Sequence, residues 1–182
     1  MKQYTKQLGL VGCVGFSCNT QGLSVTTDVS GNVYVAGWTQ GGLDGNTLTG
    51  TQDFFVTKYD SSGVKQYTKQ LGVSTKVTQG LGVATDASGN VYVTGYTTGG
   101  LDGNTLTGTR DFFVTKYDNS GVKQYTKQLG VATKSTTANS VATDTSGNVY
   151  VAGGTGGGLD GNTLTGTFDF FVTKYDSSGV KQ

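Results

Sequence analysis

The feature that most constrains this chain is a repeat. "DFFVTKYD" starts at Asp53, Asp111 and Asp169, "GGLDGNTLTGT" at Gly41, Gly99 and Gly157, and "SGNVYV" follows Asp28, Asp86 and Asp144, so every motif returns after 58 residues. A chain of this kind builds one supersecondary unit several times and buries each unit's apolar face on its neighbour. A fourth motif, "KQYTKQLG", starts at Lys2, Lys65 and Lys123, so the first copy carries five additional residues. Those five lie in the stretch that holds Cys13 and Cys18.

Within a unit the pattern is one of short strands and tight turns. "GVATD" (82–86) leads through "ASGN" into "VYVTGYT" (91–97), and the Asp-x-Ser-Gly-Asn cluster offers side-chain capping and tolerance of positive φ. "DFFVTKYD" follows a long Gly/Thr-rich loop and turns through "NSG" into "VKQYTKQL". Four strands per unit predict twelve in all. Long helices are disfavoured, because Val, Thr, Tyr, Phe and Gly dominate a chain with 31 Gly and no Pro. Both alternating sets in "DFFVTKYD" are bulky, which predicts a sheet packed on both faces, whereas "KQYTKQL" is polar and suits an outer edge.

These motifs, "GVATDASGNVYVTGYT" followed by "DFFVTKYDNSG", resemble the bacterial SBBP repeat, a β-propeller repeat of exported and surface-associated proteins. The resemblance spans essentially the whole chain. It implies an all-β propeller of three four-stranded blades (repeats near 10–72, 73–130 and 131–182, one domain over 1–182), an extracellular or cell-surface setting, and no single activity. In propeller order "VATD" is innermost and "KQYTKQL" outermost. The last copy stops at Gln182 without its outer strand, while residues 2–8 form an outer strand with no blade of its own. Closure is therefore expected by head-to-tail strand exchange in a homodimer, making a six-blade ring. A monomeric threefold trefoil or prism fits the strand count equally well.

Charge and composition narrow the function. The net charge is +1 with scattered Lys, so no nucleic-acid surface is expected. No apolar run approaches the ~20 residues that span a bilayer, and "MKQYTKQLGL" lacks the apolar core of a secretory signal. Cys13 and Cys18 are read as loop thiols or at best a disulfide; with no His and no third Cys, a zinc site is a poor fit. The chain has no His and all twelve of its acidic residues are Asp, which disfavours general acid–base catalysis, so the expectation is a non-enzymatic scaffold.

Candidate sites follow from where the copies differ. Trp38, Tyr96 and Gly154 share one position, Gln40, Thr98 and Gly156 another, and Gln52, Arg110 and Phe168 a third. On the face that carries the long loop, Trp38, Gln40, Gln52, Tyr96, Arg110 and Phe168 are the candidate binding residues for a protein or glycan ligand. The alternative is a purely structural module or a fragment of a larger array. The unchanged "LDGNTLTGT" loop offers Asp44, Asn46, Asp102, Asn104, Asp160 and Asn162 as candidate calcium ligands, joined by Asp53, Asp111 and Asp169. The closing acidic ligands of an EF-hand are missing, and an Asx-turn is the preferred reading.

Overall fold

The computed structural model describes residues 4–12 and 18–182. Eleven strands follow in chain order: β1 (Thr20–Thr27), β2 (Val33–Thr39), β3 (Asp53–Tyr59), β4 (Lys65–Leu71), β5 (Thr78–Thr85), β6 (Val91–Thr97), β7 (Asp111–Tyr117), β8 (Lys123–Leu129), β9 (Thr136–Thr143), β10 (Val149–Thr155) and β11 (Asp169–Tyr175). They form three antiparallel meanders, β1-β2-β3-β4, β5-β6-β7-β8 and β9-β10-β11.

The hairpins form for the reason the Asp-x-Ser-Gly-Asn cluster suggests. The Asp86 carboxylate accepts from the backbone N–H of Ser88 (3.0 Å) and Asn90 (2.9 Å), from the Asn90 amide (2.8 Å) and from the Tyr92 hydroxyl (2.9 Å). Gly89 supplies the positive φ of 75° that closes the turn. Asp118 does the same at the β7–β8 turn, with Ser120, Val122 and Gly121. A second glycine requirement lies inside the sheet, opposite the bulge in each innermost strand. A Cβ at Gly95 would stand 1.8 Å from the Gln79 carbonyl oxygen, so no larger residue fits.

Stacking of the sheets explains why "DFFVTKYD" is bulky on both sides. Phe54 faces the second sheet and stacks on Phe113 at 5.0 Å, and Phe112 faces the third and stacks on Phe171 at 4.9 Å. The core is thus two inter-sheet layers. One joins Tyr34, Ala36, Phe54 and Val56 to Val91, Val93, Leu101 and Phe113; the other repeats it one unit on. Polar ties accompany the layers. Thr85 Oγ1 donates to the Thr27 carbonyl (2.9 Å) and Thr143 Oγ1 to that of Thr85 (2.8 Å), while Lys58 Nζ reaches the Asn119 carbonyl (3.1 Å) and Lys116 Nζ that of Ser177 (3.0 Å).

The third sheet has three strands, in line with a last copy that lacks its outer strand; beyond β11 only Lys181 forms a bridge, to Tyr175. The expected total of twelve strands is corrected to eleven among the described residues, because residues 4–8 form no strand. The segment expected as a strand over 2–8 belongs to no sheet of this chain from Tyr4 onward, with residues 2 and 3 outside the described residues. Of the two readings of the cysteines, thiol or disulfide, Cys18 takes the disulfide, and Cys13 lies outside the described residues.

Candidate functional site

In an antiparallel meander the turns alternate between the two ends of the sheet. The Asx hairpins occupy one end, and the β2–β3 type loops occupy the other, joined there by the links between sheets. The candidate binding residues gather at this second end. In the second and third units they are paired. Arg110 lies over the Tyr96 ring, 4.4 Å from its centroid, and leaves Tyr96 only 9 % exposed. In the third unit Gly154 replaces the tyrosine and the Phe168 ring covers it; a Cβ at Gly154 would meet Phe168 Cε1 at 2.3 Å. In the first unit Trp38 is half-buried, and Gln52 Oε1 instead accepts from Gln79 Nε2 of the next sheet (2.6 Å).

The rim variation is therefore compensatory. Where the strand position is aromatic its partner is polar, and where it is glycine the partner is aromatic. The residues that meet solvent are Arg110 and Phe168, the latter 57 % exposed, rather than Tyr96. Gln40 is half-buried and donates its backbone N–H to the Asn19 carbonyl at 2.9 Å. Sequence comparison among the copies located all six positions but had no means of telling cover from covered.

The candidate calcium residues sit in a turn. Asp44, Asp102 and Asp160 adopt left-handed φ of 55–57° and form ion pairs with Lys65, Lys123 and Lys181 respectively. Burial raises the Asp44 carboxyl, but the Lys65 ammonium brings it below the ordinary carboxylate range. Asn46 donates its amide to the carbonyls of Leu43 (2.8 Å) and Thr68 (3.1 Å), and Asn104 to those of Leu101 (2.7 Å) and Thr126 (3.2 Å). Asn162 donates to Leu159 (2.8 Å). Asp53 accepts from the backbone of Thr49 and Gly50 and from Gln70 Nε2 (2.9 Å), and Asp111 repeats the arrangement with Gln128 (3.0 Å). No cluster of three or more potential metal ligands occurs among the described residues.

Both flanks of the stack expose apolar side chains whose equivalents are buried between sheets. On the third sheet Phe170 is 89 % and Val172 66 % exposed, whereas their equivalents Phe112 and Val114 are fully buried. On the first sheet Val25 is 65 % exposed and its equivalent Val83 only 7 %. A cleft of about 360 Å³ opens beside the first sheet between Tyr4, Leu8 and the residues Val33, Val35, Leu43 and Phe55.

Four-stranded meanders stacked face to face, each with its first strand beside the first strand of the next, are the blades of a β-propeller. The SBBP β-propeller repeat matches three times, over residues 3–44, 66–102 and 124–160, and the chain belongs to this family. It is also similar to the regulatory protein FlaEY of Caulobacter vibrioides, at 34 % identity over 173 residues. That similarity covers 86 % of this chain but 18 % of the relative, so the chain spans less than a fifth of FlaEY.

Proposed function

We propose that this chain is a non-enzymatic binding scaffold, half of a six-blade ring whose loop rim recognises a protein or carbohydrate. Propellers have about four to eight blades, and six is the only multiple of three in that range. Two copies related by a twofold axis would cover both flanks at once. The observation that carries the recognition reading is the rim itself: Arg110 over Tyr96, Phe168 over Gly154, and Gln52 turned to Gln79 beside the half-buried Trp38 set different chemistry on one backbone frame. A rigid frame with graded loops is a common arrangement for recognition. The disulfide at Cys18 supports an extracellular or cell-surface setting.

A screen against glycans and surface proteins tests this reading. Binding should fall at least about tenfold in Phe168→Ala or Arg110→Ala while the fold is retained. The small share of FlaEY that the chain spans favours a second reading, a structural module of a longer array. Silence across the screen, or binding indifferent to both substitutions, would select that second reading.

A further inference from the structure

The first two sheets show what an outer strand contributes to its own blade. Gln70 bridges Asp53 and the Leu43 N–H (3.0 Å), and Gln128 bridges Asp111 and the Leu101 N–H (2.9 Å). Thr68 pairs with Thr57, and Thr126 with Thr115, both at 3.1 Å. After each outer strand a glycine lies against the same aspartate. A Cβ at Gly72 would stand 1.7 Å from Asp53 Oδ1, and one at Gly130 1.8 Å from Asp111 Oδ1.

In the third sheet these places are open among the described residues. Asp169 accepts only from Thr165 and Gly166, and the Leu159 N–H meets no glutamine. A groove of about 350 Å³ runs along β11, lined by Leu159, Asn162, Asp169, Phe171 and Thr173.

The N-terminal segment is in the opposite situation. Tyr4 and Lys6 lie against Gly63 of the first sheet as Tyr67 and Lys69 lie against Gly121, and as Tyr125 and Lys127 lie against Gly179. Leu10 packs on Gly41 as Val73 packs on Gly99 and Val131 on Gly157. The segment therefore already sits on the first sheet in the place of a preceding blade's outer strand, but among the described residues no sheet holds its other edge. Gly9 is left without purpose: a Cβ there would meet nothing within 4 Å.

We infer that the groove along β11 is an acceptor site for Tyr4–Gly9 of a second copy of this 182-residue chain. This rests on the ring reading and assigns its register. In that register Thr5 of the second copy faces Thr173, Gln7 bridges Asp169 and the Leu159 N–H, Leu8 lies opposite Phe170, and Gly9 lies against the Asp169 carboxylate. Backbone pairing along an exposed edge supplies affinity, and the Asp169 pocket supplies selection. The glycine at position 9 is required by the acceptor and not by the chain that carries it.

Two variants test the site in the intact chain. Sedimentation of the parent should give twice the 18.8 kDa chain mass. Gly9→Ala should leave circular dichroism unchanged and weaken the dimer at least about tenfold, because its methyl group meets a carboxylate. The double variant Thr5→Cys, Thr173→Cys should form a disulfide-linked dimer under mild oxidation. A parent that stays monomeric at every concentration overturns both the ring and the site. A dimer indifferent to Gly9→Ala, with no link between positions 5 and 173, overturns the site and leaves the ring reading standing.

Discussion

Three phenylalanines in identical local sequence, Phe54, Phe112 and Phe170, differ only in what the tertiary structure places against them. Phe112 is fully buried and stacked on Phe171, so truncation to Ala removes its whole apolar contact and leaves a cavity, at a cost of about 3–5 kcal/mol. Phe54, fully buried against Phe113, should cost the same. Phe170 is 89 % exposed, so roughly a tenth of that burial is at stake within one chain, about 0.3–0.5 kcal/mol. Urea unfolding of the three variants, followed by tyrosine and tryptophan fluorescence, reads the difference. With a slope of about 2 kcal/mol per molar, Phe54→Ala and Phe112→Ala should lower the midpoint by about 1.5–2.5 M and Phe170→Ala by about 0.2 M. That holds at concentrations where the chain is monomeric. In the proposed ring Phe170 would meet the first sheet of the second copy, and on assembly the Phe170→Ala deficit should grow toward that of Phe112→Ala. Equal deficits for all three in the monomer would refute the assignment of flank and interior. A Phe170→Ala deficit that stays negligible in a demonstrated dimer would refute the flank-to-flank arrangement proposed for the ring.

Calcium should have little effect, since Asp44 and Asp102 already hold lysine ammonium groups: about 5 mM calcium is expected to move the thermal midpoint by no more than about 1 °C. A rise of several degrees, lost in Asp102→Asn, would restore the metal reading. Acid should weaken the fold. Burial raises the Asp86 carboxyl, but bonds from the Asn90 and Tyr92 side chains and from the Asn90 and Ser88 backbone bring it below the ordinary value, and bonds from Ser120 and Val122 lower Asp118. With the folded pKa below that of the unfolded chain, the stabilisation is complete above about pH 4 and is lost as pH falls through the folded value. Urea midpoints should thus drop as the pH falls below about 4, less steeply in Asp86→Asn; a flat profile contradicts the hairpin role. The rim pairs should couple. Gly154→Tyr alone should cost about 1 kcal/mol through its clash with the exposed Phe168 ring, and adding Phe168→Arg, which recreates the second unit, should recover most of it. Additive costs in that cycle would show that the pairs do not pack as units.

Much of the architecture could be read from the residues because it is local. Asp86 and Gly89 dictate a turn whose bonds are satisfied within six residues, and the alternation in "DFFVTKYD" dictates two covered faces whatever covers them. Lys65 pairing with Asp44 was not legible, since the two are 21 residues apart and both look like ordinary surface charges. Nor was the order within the rim pairs: Tyr96 and Arg110 are both strong candidates for a binding surface, and only their packing shows that one lies beneath the other.

By itself the amino-acid order determined the unit, its four-strand plan, its turns and its number of copies, because those rest on hydrogen bonds and side-chain alternation between near neighbours. The tertiary structure alone decided which copies of a shared residue are buried. Phe112 and Phe170 have the same chemistry and hold the same place in "DFFVTKYD", but burial depends on what stands across the sheet interface, and only one of them has a neighbouring sheet within its own chain.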